Sequence, residues 1–168
     1  LGKGVAAPLS GEPHSNGVIG IGCAGSVVIS VASDDTIMFS EGGAFGEKVP
    51  IGACPLGFSC SPSLAAVVTT ADKLVAYSVA KKAVAAEAKL PFSPTCVSVA
   101  PSDGLIAVGG EDNHVHVLLP DGSEKLCLKR HKDKISCLAF APKSDRLASG
   151  CANKEIVVWD AQDGTPLI

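Results

Sequence analysis

"LASGCANKEIVVWD", residues 147–160, holds the single tryptophan of the chain and the pattern on which the fold turns. It begins as a run of small residues, breaks at the polar tripeptide Ala152–Asn153–Lys154, and resumes as the β-branched run Glu155–Trp159. Two short apolar runs parted by a polar turn read as a hairpin. One hairpin cannot bury both of its faces, so its partners must be sought in the same chain.

Sliding the sequence on itself finds them. At an offset of 41 residues, Pro142 falls on Pro101, Cys137 on Cys96, and "LASGCANKEIVVW" (147–159) on "IAVGGEDNHVHVL" (106–118). Another 41 residues back, "AAVVTTADKLVAY" (65–77) takes the same place, with Leu74 matching Val115. A fourth copy, "ISVASDDTIMF" (29–39), is offset by 37 residues, with Ile37 matching Leu74.

Each unit reads alike. An alternating strand such as Ser136–Ala141 meets a Pro-led turn. A small-residue strand such as Arg146–Gly150 follows, then a tight polar turn and a β-branched strand. An Asp-Gly-type turn leads to a fourth strand, clearest at Glu124–Leu128. Four period-2 strands joined by such turns form one antiparallel sheet, and a repeat of about 40–45 residues of this kind is one propeller blade. The predicted fold is therefore all-β: a partial β-propeller of four-stranded antiparallel blades, about four of them. The predicted units are residues 1–48, 49–90, 91–130 and 131–168. "VAKKAVAAEAKL" (79–90) has helix-forming composition, but the repeat register assigns it to a turn and an outer strand.

Composition limits the function. The chain is 46% hydrophobic and 18% charged, which fits a folded protein rather than a disordered one. A net charge of −3 argues against a general nucleic-acid binder. The most apolar segment, Val18–Ala32, is short and interrupted by Gly20, Gly22 and Gly25, so no membrane span is expected. The seven cysteines form no C-x-x-C pair, and are expected to be reduced and buried in a cytoplasmic protein. An unclosed array leaves apolar blade faces bare, so the chain, which starts at Leu1, is expected to be part of a longer propeller.

Three further patterns carry possible chemistry. "GIGCAG" (20–25) satisfies G-x-G-x-x-G, but a strand-like run follows where a dinucleotide site needs a helix. Its glycines are expected at the turn between the first two strands. His114 and His116 share one side of a strand, but no third ligand lies at a useful spacing in sequence, so no metal is expected. "GFSCS" (57–61) lacks the last glycine of a nucleophile elbow, so Cys60 is expected to be a core residue and no enzyme is predicted. "EKLCLKRHKDK" (124–134) gathers Lys125, Lys129, Arg130, Lys132 and Lys134 on an outer strand and the loop into the next unit. It suits an acidic protein partner, or else a strand edge guarded by lysines.

The fourth unit carries His131 before its first strand, "LASG" (147–150) and "VVWD" (157–160), and in these it resembles the WD-repeat family. The resemblance implies a hydrogen-bonded tetrad of His131, Ser149, Asn153 and Trp159, with Asn153 where the family usually has Asp. Its bond to histidine would then lose its charge assistance. The first unit gives His14, Ser30 and Asp34, with Ser40 in the tryptophan position. The third keeps Asp112 and the second keeps none. The order of the units runs through "SDDTIMF" (33–39), "TTADKLVAYSV" (69–79), "VSVAPSDGLIAVGGEDNHVHVL" (97–118) and "HKDKISCLAFAPKSDRLASG" (131–150). That order is similar to the C-terminal propeller of the actin-interacting protein 1 family. It implies a non-catalytic interaction propeller of the cytoplasm and cytoskeleton, free of cofactors, that binds actin and cofilin and promotes filament disassembly. A structural scaffold of another cytoskeletal or axonemal complex is the alternative.

Overall fold

The computed structural model describes residues 10–168. Its regularity begins in the turns. Asp35, Asp72, Asn113 and Lys154 all have positive φ, between 52° and 73°. They stand at the same place in successive units, each at the tight polar turn seen in the sequence. Asp and Asn tolerate this left-handed conformation because their short polar side chains bond locally; Lys154 does not share that advantage.

Between these turns the described residues fold into fifteen strands. The first unit is β1 (Val18–Ala24), β2 (Val27–Ala32), β3 (Thr36–Ser40) and β4 (Lys48–Pro50). The second is β5 (Pro55–Cys60), β6 (Leu64–Thr69), β7 (Lys73–Ser78) and β8 (Ala83–Lys89). The third is β9 (Pro94–Val99), β10 (Ile106–Gly110), β11 (Val115–Leu118) and β12 (Glu124–Leu128). The fourth is β13 (Ile135–Phe140), β14 (Arg146–Cys151) and β15 (Ile156–Asp160). Sequence neighbours are sheet neighbours throughout, so each unit is an antiparallel meander. The fourth sheet has three such strands, and the chain end turns back along β15, where Leu167 N donates to Val158 O.

The all-β expectation holds, and segment 79–90 contains strand β8, as the register requires. One unit boundary shifts. A break after residue 48 would cut β4, which continues to Pro50, so the first blade ends at Pro50 and the connection to the second follows it.

Blades stack face to face, and the period of two decides what each residue meets. On β6, Ala65 and Val67 pack with Ile29, Val31, Ile37 and Phe39 of the first blade. Leu64, Ala66 and Val68 point the other way, onto Val97, Val99, Ile106 and Val108 of the third. All six residues of β6 are buried as a result. A third core joins Ala107, Val115, Val117 and Leu128 to Ile135, Leu147, Val157 and Trp159. Strands β1, β5, β9 and β13, the first of each blade, lie next to one another along the array.

That close approach explains the glycines. A Cβ on Gly109 would lie 2.7 Å from Ile135 Cβ of the next blade and 2.7 Å from Cys96 Sγ. Gly20 and Gly22 are within β1, against Phe58 and Cys60 of the second blade, and only Gly25 (φ 64°) makes the turn. The expectation that the "GIGCAG" glycines form the turn is thus corrected for two of the three: they make room for a neighbouring blade.

The two ends of the array have bare apolar faces. On the first blade Ile21 is 70% exposed and Val18 56%; on the last, Ile156 is 72% exposed. The cysteine expectation needs the same correction. Cys23, Cys54 and Cys137 are exposed, and only Cys151 is fully buried. Cys96 and Cys137 hold equivalent positions, but the fourth blade covers Cys96, while Cys137 is exposed among the described residues. Among the described residues no helix is long and apolar enough to cross a membrane.

Candidate functional site

In the fourth blade, the loop after β12 brings His131 beneath β14. Its Nε2 lies 2.6 Å from Ser149 Oγ, and Trp159 Nε1 donates to the same oxygen at 2.7 Å. Ser149 Oγ thus accepts from tryptophan and shares a second hydrogen bond with His131 Nε2, with Val157 O at 3.5 Å as a further acceptor for its proton. The other ring nitrogen, Nδ1, is buried without a hydrogen-bond partner and faces Glu155 Oε2 at 3.4 Å. Asn153 does not join this chain. It is exposed, and its Oδ1 accepts from Cys151 Sγ at 2.7 Å and from Glu155 N at 3.2 Å. The expected fourth member is therefore displaced: the turn around Lys154 ties Asn153 to itself, and Glu155 supplies the anion beside His131.

The first blade repeats the arrangement. His14 Nε2 is 2.8 Å from Ser30 Oγ, while Nδ1 is 3.2 Å from Asp34 Oδ1 and 3.0 Å from Thr36 Oγ1. Burial pushes the Asp34 carboxyl up, but hydrogen bonds from Thr36 and Ser15 and the nearby His14 outweigh it. Together they hold it well below the usual carboxylate range. Ser40, in the tryptophan position, instead accepts from Gly46 N at 3.3 Å. With no indole there, His14 and Ser30 border a cavity of about 410 Å³ that Val18, Ile21, Val28 and Phe45 also line.

Both constellations have the order serine, histidine, carboxylate found in nucleophilic hydrolases. Their placement speaks for another use. Ser149 is 1% exposed and its oxygen already holds the Trp159 N–H, so a substrate carbonyl has no approach. Ser30 stands at the equivalent position of its own blade, facing outward from the array. Ser149 is thus an element of blade packing, and Ser30 holds the same register on a face that no other described blade covers.

The third blade departs from the pattern. Asp112 Oδ2 is 3.0 Å from Nε2 of His116 on β11, and His116 Nδ1 is 2.7 Å from Glu124 Oε2 on β12. The His116 ring stacks on Phe92, centroids 3.7 Å apart and 11° from parallel. His114 Nδ1 is 3.3 Å from the same Asp112 oxygen. Burial raises Asp112, but bonds from the His114 backbone and His116 reverse this and lower it, so it is a carboxylate at neutral pH. Cys127 sits directly across from His116, and burial, then Glu124, push its thiol up. The sequence reading paired His114 with His116 but missed Cys127, because cross-strand register is invisible in linear spacing. The i, i+4 step from Asp112 to His116 was the available clue.

Lys125, Lys129, Arg130, Lys132 and Lys134 are all exposed, along β12 and the loop that joins the third and fourth blades. Arg130 Nε is 3.8 Å from Glu155 Oε1. Among the described residues, none of the four lysines has a carboxylate within ion-pair distance, so this rim presents uncompensated positive charge.

Comparison with known proteins agrees with this architecture. The "WD domain, G-beta repeat" family matches residues 122–160. The chain is similar to a 66 kDa stress protein of Physarum polycephalum, 29% identical over 95% of this chain and 28% of that protein. It is also similar to an uncharacterized WD repeat-containing protein of Schizosaccharomyces pombe, 32% identical over 96% of this chain and 28% of that protein. A shorter similarity, 34% identity, covers 42% of this chain and 12% of Actin-interacting protein 1-2 of Arabidopsis thaliana. The chain thus spans 28% of the length of the two relatives that it matches almost from end to end. Blades of one repeated register, a hydrogen-bonded His131–Ser149–Trp159 and the match at 122–160 together make this chain a member of the WD-repeat family, an interaction scaffold of propeller blades.

Proposed function

We propose that this chain is the interaction surface of a factor that binds actin filaments together with cofilin and promotes their disassembly. It acts by binding rather than by chemistry, in the cytoplasm and at the cytoskeleton, and further blades of a longer chain complete its ring. The observation that carries this reading is the similarity to Actin-interacting protein 1-2, in a chain whose blades degenerate in the order quoted above. The lysine rim supports it. Unpaired positive charge on a rigid sheet edge favours an acidic protein surface and speeds the encounter with it.

Co-sedimentation of the full natural chain with actin filaments tests the reading. More protein pellets when cofilin decorates the filaments than when it does not, since disassembly requires a preference for the altered filament. The double substitution Lys129→Glu, Lys132→Glu weakens that binding about tenfold and flattens its salt dependence. Equal binding with and without cofilin, or none in either case, overturns the proposal and favours a scaffold for other partners.

A further inference from the structure

One cluster joins a packed residue, His116, to two side chains that blade packing does not use, His114 and Cys127. A nitrogen of His114, a nitrogen of His116 and Cys127 Sγ all lie within 4.8 Å of one another. They come from a turn and two paired strands, so the backbone ladder fixes their spacing. A bulge in the β11–β12 pairing leaves Lys125 unpaired and sets Glu124 opposite Leu118. Cross-strand partners share a face, and Leu118 shares one with His116, so the bulge turns Glu124 toward the imidazole. Each nitrogen of the buried His116 consequently faces a carboxylate, Asp112 on one side and Glu124 on the other. A neutral imidazole has one N–H and satisfies one of them; the other contact is met either by a second N–H on the ring or by a cation bound at that nitrogen.

The geometry points to a zinc-class metal site made by His114, His116 and Cys127 on the rim of the third blade. Two imidazoles and a thiol are the donors that zinc prefers, in a protein-ligand number that leaves one position of a tetrahedron for water or for the Asp112 carboxylate. Glu124 is the outer partner that such a site needs. It accepts the His116 Nδ1–H at 2.7 Å, which fixes the tautomer and frees Nε2 for the ion. On binding, Cys127 coordinates as thiolate and its proton passes to solvent. His114 and Cys127 are only half-buried, which gives the ion a way in. The neighbouring group of His131, Cys151 and Glu155 is less suited, because its thiol and one imidazole nitrogen are already engaged by Asn153 and Ser149.

The test is a titration of the full natural chain, stripped by a chelator and kept reduced, with cobalt(II) and then zinc. One equivalent of cobalt produces a thiolate-to-cobalt charge-transfer band, and zinc abolishes it. The band disappears in Cys127→Ser and in His114→Ala, and persists in Cys151→Ser. Glu124→Gln weakens zinc binding about tenfold, the scale of a lost outer-shell partner. Circular dichroism verifies the folding of each variant; His114 is the safer site, since little packs on it. Absence of the band in the unmodified protein, its survival in Cys127→Ser or in a folded His114→Ala, or its loss in Cys151→Ser, overturns the assignment.

Discussion

Trp159 offers the sharpest test of how the last two blades are joined. It is 2% exposed, belongs to the third core and donates its indole N–H to Ser149. Trp159→Ala removes a large buried side chain from between two sheets that cannot fully collapse onto the gap. The expected loss is about 3–5 kcal/mol. Trp159→Phe keeps most of the volume and removes the donor, at a cost of about 1–2 kcal/mol. The comparison separates packing from hydrogen bonding. Adding Ser149→Ala to Trp159→Phe should then cost less than the two separate effects combined, because the bond is already gone and only the His131 contact is left to lose. As the chain's single tryptophan is the residue changed, far-UV circular dichroism in urea must replace fluorescence as the readout. A loss well under 1 kcal/mol for Trp159→Ala, with an unchanged denaturant slope, would refute the buried His131–Ser149–Trp159 arrangement.

Other perturbations probe other links. Gly109→Ala forces a methyl against Ile135 and Cys96 and lowers stability by about 1–3 kcal/mol, whereas Gly17→Ala, with nothing within 4 Å, shifts urea midpoints very little. Lys154→Asn relieves a left-handed lysine and raises stability by up to about 1 kcal/mol in the same melts. The Asp34 carboxyl is depressed in the folded chain, so its contribution is complete above the unfolded value of about 3.9 and drains away as pH falls toward the folded one. Asp34→Asn is accordingly the less stable protein at pH 7, and the gap between the two urea midpoints closes in acid; a gap that widened on acidification would reverse the assigned sign. The Tyr77 hydroxyl is buried without a protein partner, and burial pushes its pKa up to about 12. Tyr77→Phe should leave thermal stability unchanged or raise it by about 1 kcal/mol.

The fold was legible because a repeat converts weak local signals into a register. No single hairpin in this chain announces itself, but Asp35, Asp72, Asn113 and Lys154 fall at one position, and the turn geometry there is the same. The family resemblance also grouped Ser149 with His131 and Trp159, which the structure brings together. It misled at Asn153, where family expectation ran ahead of what a side chain bonded to its own turn can reach. It was silent on Cys127, whose closeness to His116 depends on strand pairing, and on Gly20 and Gly22, whose neighbours belong to another blade. Linear spacing reports what lies along a strand, and these contacts run across strands or between sheets.

The three joints between blades show why the family signature fades without loss of the fold. Where the third blade meets the fourth, the joint has His131, Ser149 and Trp159. Where the second meets the third, His116 stacks on Phe92 between two carboxylates, while Val108 fills the place of Ser149. Where the first meets the second, Val67 and Tyr77 occupy the serine and tryptophan positions and pack on Phe39 with no hydrogen bond from the hydroxyl. The requirement common to all three is a filled slot between twisted sheets, and apolar area or a satisfied polar chain meets it equally well. A polar group in such a slot is retained at little cost where it finds a partner, as the Trp159 N–H does on Ser149, and at a greater one where it does not, as with the Tyr77 hydroxyl. In the first blade, where Ser40 takes the tryptophan position, His14 is held by Ser30, Asp34 and Thr36, while the second blade has none of the set and fills its slot with apolar side chains. Residues freed from that demand at His114 and Cys127 are the ones in which new binding chemistry has room to arise.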